Sequence, residues 1–129
     1  MLFQDLTPSP DVIQKLKEFC KAHTEVAVLY LFGSAATGRM HQTSDIDIAI
    51  MVGAGLSEYD RIEMETTLSN LLARDVDLVV FARASPLLQH QILKYGHLVH
   101  ENDTQERVRQ EVFSRTEYLD SQFLYKELC

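Results

Sequence analysis

The chain has 129 residues, 46% hydrophobic and 24% charged, which suits one compact domain and leaves no room for a second, substrate-binding one. Its net charge of −7 disfavours a long polyanion such as DNA or bulk RNA. Lys15, Lys17 and Lys21, like Arg107 and Arg109, fall at helical spacings and read as solvated faces rather than a basic patch.

Residues 1–5 lack the basic and then apolar order of a signal peptide, and no apolar run is long enough to span a bilayer. Cys20 and Cys129 lie far apart and suggest neither a disulfide framework nor a zinc site. A cytoplasmic chain with no membrane contact and no direct nucleic-acid binding is expected.

Ser9-Pro10-Asp11 opens the first predicted helix, with Ser9 as N-cap and Pro10 at the first helical position, where its missing N–H costs nothing. Val12, Ile13, Leu16, Phe19 and Cys20 form its apolar stripe, which ends near His23. Val26 to Phe32 is apolar throughout, as in a central strand buried on both faces, and stops at Gly33-Ser34. After a small-residue segment, 35–39, and a polar loop, Ile46 to Val52 reads as a second strand with Asp45 at its mouth and Asp47 inside it.

Ser57 is placed to cap a second helix, with Ile62, Leu68, Leu71 and Leu72 expected to face inward and Asp60 at the third position of a weak capping box. Val76 to Phe81 is a third strand, apolar except for Asp77. Ser85-Pro86 repeats the cap-plus-proline start, with Leu87, Leu88, Ile92 and Leu93 as the stripe and Gly96 expected to close the helix in the left-handed conformation. A short edge strand is expected at His97–His100. From Asp103 or Thr104 onward, Val108, Val112, Leu119, Phe123 and Leu124 recur at helical spacing, so residues 103–129 are expected as one long C-terminal helix within a single domain, 1–129.

The chemistry is carried by Gly33-Ser34, ten intervening residues, Asp45-Ile46-Asp47, and then Asp77 in the next strand. Residues i and i+2 of a strand share a face, about 6–7 Å apart, so Asp45 and Asp47 project together and Asp77 completes a cluster if its strand lies alongside. Gathered carboxylates raise one another's pKa unless a cation neutralises them. Oxygen-only donors favour magnesium or manganese over zinc, and a pair of such ions stabilises both attacking and leaving oxygens of a nucleotidyl transfer. Gly33 and Ser34, at a strand-to-helix turn, suit a triphosphate cradle, and Arg39 is placed to contact a phosphate.

Each part alone has a bland reading: an aspartate pair is commonly structural, a Gly-Ser turn says almost nothing, and Arg39 suits a solvated loop. An acid inside an apolar strand is costly, however, and two successive strands carry one each. No P-loop or three-glycine dinucleotide fingerprint is present. His97 and His100, three apart in a strand, point to opposite faces, so the histidines read as structural or solvated.

Together, Gly33-Ser34, Thr37-Gly38-Arg39, the segment 44–49 around Asp45-Ile46-Asp47, and Val76-Asp77-Leu78-Val79 resemble the polymerase-beta-like nucleotidyltransferases, above all the minimal nucleotidyltransferases that serve as MntA-type antitoxins. The resemblance runs from about Glu25 to about Glu101. It implies an α/β (α+β) fold with a mixed sheet flanked by helices, two Mg2+ ions, and ATP as substrate. By the same resemblance, Asp45 and Asp47 bind both metals, Asp77 binds the catalytic metal and helps deprotonate the acceptor, and Gly33 and Ser34 hold the triphosphate.

It further implies transfer of AMP to a tyrosine hydroxyl of a HEPN-domain ribonuclease toxin, with the C-terminal helix in the partner surface. The alternatives are an antitoxin that masks its toxin by binding alone, and an enzyme that modifies a small molecule or an RNA end.

Overall fold

The structure is a computed structural model that describes residues 9–33, 45–53 and 55–128, the side chains of 125–128 excepted. The expectations for Ser34, segment 35–39 with Arg39, and Cys129 lie outside the described residues. The elements run α1 (Pro10–Ala22), β1 (Val26–Phe32), β2 (Ile46–Val52), α2 (Glu58–Leu72), β3 (Val76–Val80), a 3-10 turn (Phe81–Arg83), α3 (Pro86–Tyr95), β4 (His97–Glu101) and α4 (Thr104–Leu128).

The four strands form one mixed sheet in the order β3-β2-β1-β4, with β1 antiparallel to both β2 and β4, and β2 parallel to β3. β1 is therefore interior and β4 an edge, which accounts for the unbroken apolar run of the one and the mixed sequence of the other. Alternation along the strands splits the core in two. Leu29, Leu31, Ile46, Ile48 and Ile50 pack with α1 and α2, whereas Val28, Tyr30, Ala49 and Met51 pack with Phe81 and Ile92 on the opposite face.

Local expectations failed where tertiary packing decided. Ser9 makes no side-chain cap bond; only its carbonyl engages the helix, accepting from Ile13 N at 3.0 Å. In α2 the inward stripe is Met64, Leu68 and Leu72, while Ile62 and Leu71 are exposed. Leu87, expected in the stripe of α3, is also exposed, because it is Ile92, with Gln89, that faces the sheet.

β3 ends one residue early because the Phe81 carbonyl leaves the ladder to accept from Ala84 N at 3.1 Å and from buried Gln89 Nε2 at 2.7 Å. Gly96 ends α3 with extended backbone, φ −73°, rather than left-handed. Glycine is needed there for close approach: a Cβ would come within 2.4 Å of the Ile92 carbonyl oxygen and 3.2 Å of that of Leu31. The expected caps at Ser57 and Ser85 do form, their hydroxyls accepting from Asp60 N and Leu88 N at 3.0 and 3.2 Å.

α4 starts at Asp103, whose Oδ1 accepts from Glu106 N at 3.1 Å, and crosses the second face of the sheet. Buried Tyr30 of β1 donates to Glu111 at 2.8 Å, and Arg107 bridges Glu111 to Glu101 of β4. These bonds seat one side of α4. Val108, Val112, Leu119 and Phe123, which share another side, are exposed. Among the described residues no helix is long and apolar enough to cross a membrane.

Candidate nucleotidyl-transfer site

β2 and β3 run parallel with Asp47 directly opposite Asp77 in the register. Neighbouring strands lie about 4.8 Å apart, so these two acids are side by side. Odd-numbered residues of β2 face α3 and α4, as Ala49 and Met51 show, and Asp47 shares that face. Asp45 precedes the first residue of β2, whose N–H is held by the carbonyl of Asp75 at 2.9 Å. That bond aligns the mouths of both strands.

The three acids are near enough to act on one another electrostatically. The Asp47 carboxyl is pushed above the ordinary aspartate range, first by burial, then by the charge of Asp77 and then by that of Asp45. Asp47 is half-buried, while Asp45 and Asp77 are exposed. Among the described residues, no three His, Cys, Asp or Glu side chains converge closely enough to grip one ion as they stand. By donor chemistry the three carboxylates fit a hard cation, which would relieve the repulsion that raises Asp47.

Gly33, at the end of β1, completes the cleft opposite Asp47. Its φ is +68°, a conformation L side chains rarely adopt, and a Cβ there would lie 2.5 Å from Asp47 Oδ2. Both requirements select glycine, whose missing Cβ lets the Asp47 carboxylate lie directly against the end of β1. Ser34 and Arg39, the other expected nucleotide-binding residues, fall outside the described residues.

Sequence reasoning missed what holds β3. This strand is the outer edge of the sheet, and α2 satisfies its free side: Ser69 Oγ accepts from Val76 N at 3.1 Å, Glu65 Oε2 accepts from Leu78 N at 2.8 Å, and Arg61 Nη1 donates to the Leu78 carbonyl at 3.0 Å. Arg61 also pairs with Glu65 at 3.1 Å. The backbone on both sides of Asp77 is thus fixed. The sole sequence signal was a glutamate and an arginine four apart on a helix, which reads equally well as a surface ion pair.

A cavity of about 320 Å3 opens beside Asp47 and Gly33, lined also by Phe32 and by Leu88, Gln91 and Tyr95 of α3. No local pattern marks these residues as a site. They meet only because α3 packs over the end of β1.

A parallel strand pair bearing adjacent acids, an antiparallel partner ending in a left-handed glycine, and helices on both faces define a polymerase-beta-like nucleotidyltransferase fold. Residues 14–105 match the family model described as polymerase beta, nucleotidyltransferase, and the chain belongs to that family.

Protein adenylyltransferase MntA of Shewanella oneidensis is 39% identical over 72 residues, a segment that is 56% of this chain and about half, 52%, of that relative. A chain of the crystal structure of a toxin–antitoxin with AMP-PNP superposes with a TM-score of 0.78 at 27% identity, over 90% of this chain and 94% of the other. A chain of the tri-AMPylated Shewanella oneidensis HEPN toxin in complex with MNT antitoxin gives 0.66 at 26% identity, over 89% and 94%.

Proposed function

We propose that this single-domain chain is an antitoxin that transfers AMP from ATP to a tyrosine hydroxyl of a HEPN-domain ribonuclease toxin, in the cytoplasm. The observation that carries the reading is the juxtaposition of Asp45, Asp47 and Asp77 on one face of the sheet with Gly33 against Asp47. The likeness to MntA and to toxin–antitoxin structures, one with AMP-PNP and one with an AMPylated toxin, supports the substrate and the partner.

In this mechanism Asp45, Asp47 and Asp77 would hold two Mg2+ ions, with Asp77 at the catalytic one, and ions bound there would supply charge neutralisation for the attacking and leaving oxygens. Gly33, with Ser34 and Arg39, holds the triphosphate. The acceptor hydroxyl attacks the α-phosphorus in line, forming a new O–P bond as the bond to pyrophosphate breaks, and Asp77 helps remove its proton. The product is a tyrosine carrying one AMP, whose charge and bulk oppose RNA binding near a ribonuclease site.

The exposed stripe Val108, Val112, Leu119 and Phe123 on α4 supplies an apolar partner surface. The test is α-labelled ATP with magnesium and the co-expressed toxin. Label on the toxin, lost in Asp45→Asn and Asp47→Asn, supports the reading. Full neutralisation by those variants without label transfer would show masking instead, and label on RNA would select an RNA-end transferase.

A further inference from the structure

We propose that the cavity formed by Phe32, Leu88, Gln91 and Tyr95 beside Asp47 is the purine subsite of the nucleotide, with Tyr95 as its stacking surface and Gln91 as the group that reads the base edge. The inference rests on the transferase reading, and it names what selects the nucleotide.

The strand order separates two sides of the cleft. Asp77 is on the outer strand β3, Asp47 on β2, and Phe32 and Gly33 on β1. On the proposed mechanism Asp77 takes the acceptor's proton, which puts the acceptor over β3, and Gly33 holds the triphosphate, which puts the nucleotide on the β1 side. The cavity lies on that side, contiguous with both Gly33 and Asp47. A nucleotide with its phosphates at Gly33 reaches it without crossing the acceptor's path.

Size and chemistry agree. About 320 Å3 is at the small end of the range of roughly 300–1,000 Å3 usual for ligand pockets. Phe32 and Leu88 supply apolar walls. Tyr95 lines the cavity and is 65% exposed, so its ring is accessible to a stacking partner, and the Lys94 ammonium lies 5.2 Å from its centroid. Gln91 is exposed one turn before Tyr95 on the same helix. Its amide carries both a donor and an acceptor, the pair that matches adenine N6 and N7.

Calorimetric titration with a non-hydrolysable ATP analogue and its cytidine counterpart, both with magnesium, tests this. Both side chains are exposed, and unchanged circular dichroism melts verify that the variants fold. Expected results are tighter binding of the adenine analogue by the native chain, about tenfold weaker binding in Tyr95→Ala with recovery in Tyr95→Phe, and a base preference reduced at least about fivefold in Gln91→Ala.

Native affinity in both alanine variants overturns the proposal. So does a raised KM for the acceptor protein with unchanged nucleotide affinity, which would give the cavity to the acceptor's ring. Loss of nucleotide binding in Tyr95→Ala, in a protein that labels no partner, supports the subsite while sinking the transferase reading.

Discussion

Gly33 and Asp47 sit so close across the β1–β2 pair that a single methyl group on Gly33 would lie 2.5 Å from the Asp47 carboxylate. The left-handed φ of +68° and this contact act together. Any side chain at 33 must strain the backbone by about 1–2 kcal/mol or push Asp47 off its position. Gly33→Ala is therefore expected to lower kcat at least about tenfold, since displacing a catalytic group by an ångström costs up to about a hundredfold. Steady-state transfer assays with a thermal melt check it. Native kcat in the alanine variant would show that the contact has no part in catalysis.

Asp47 also bears on stability. Its carboxyl titrates above the unfolded aspartate value because of burial and its two acidic neighbours. Between the unfolded and folded pKa values the native state binds more protons, so this group's contribution to stability falls as pH rises through that window and stays low above it. In chelator, Asp47→Asn should thus melt higher than the native chain at pH 7, and the gap should close as the pH is lowered below the unfolded aspartate value. A gap independent of pH would rule out this origin.

Magnesium should reverse the order. A cation held by the three carboxylates stabilises the folded native chain by mass action and has little to bind in Asp47→Asn. Melting curves taken with and without millimolar Mg2+ are expected to shift upward for the native chain and hardly move for the variant. Equal shifts would place the bound ion elsewhere.

The tie between α2 and β3 predicts a separable effect on Asp77. Glu65→Ala removes the acceptor of Leu78 N and a partner of Arg61. On a half-exposed edge this should cost about 1–2 kcal/mol, seen as a lower melting temperature. By loosening the strand that carries Asp77, it should also lower kcat several-fold with little change in nucleotide affinity. Unchanged kcat would make the tie purely structural.

The outer stripe of α4 predicts a third kind of behaviour. Val112→Glu and Phe123→Glu replace exposed side chains, so melting temperatures should hold within about 2 °C, surface changes being worth about 0.5 kcal/mol or less. Affinity for the co-expressed toxin should fall at least about tenfold, as for a buried interface anchor. Retained co-purification and affinity would direct the search for the partner surface to another face.

Period and punctuation alone determined much of this protein. Seven unbroken apolar residues announce an interior β1, and the Ser-Pro and Ser starts locate α2 and α3 because caps and prolines act within one turn of chain. The spacing of Asp45 and Asp47 puts them on one side of β2, since strand geometry is local. Whether Asp77 joins them depended on strand order, which the chain does not encode in any one window. The parallel register of β2 and β3 decided that.

The same limit explains the errors. Ile62, Leu71 and Leu87 are as apolar as their buried neighbours, and only the choice of which helix face packs on the sheet left them outside. A glycine just after a helix reads as a left-handed cap, but at Gly96 the crowding that selects glycine comes from the Leu31 and Ile92 carbonyls, one of them 65 residues away. The clasp of Glu65 and Arg61 on Leu78 and the cavity between Phe32 and Tyr95 likewise join residues distant in sequence. Local chemistry named the carboxylates, and long-range packing decided what surrounds them, because side-chain type is a property of the chain whereas proximity is a property of the fold.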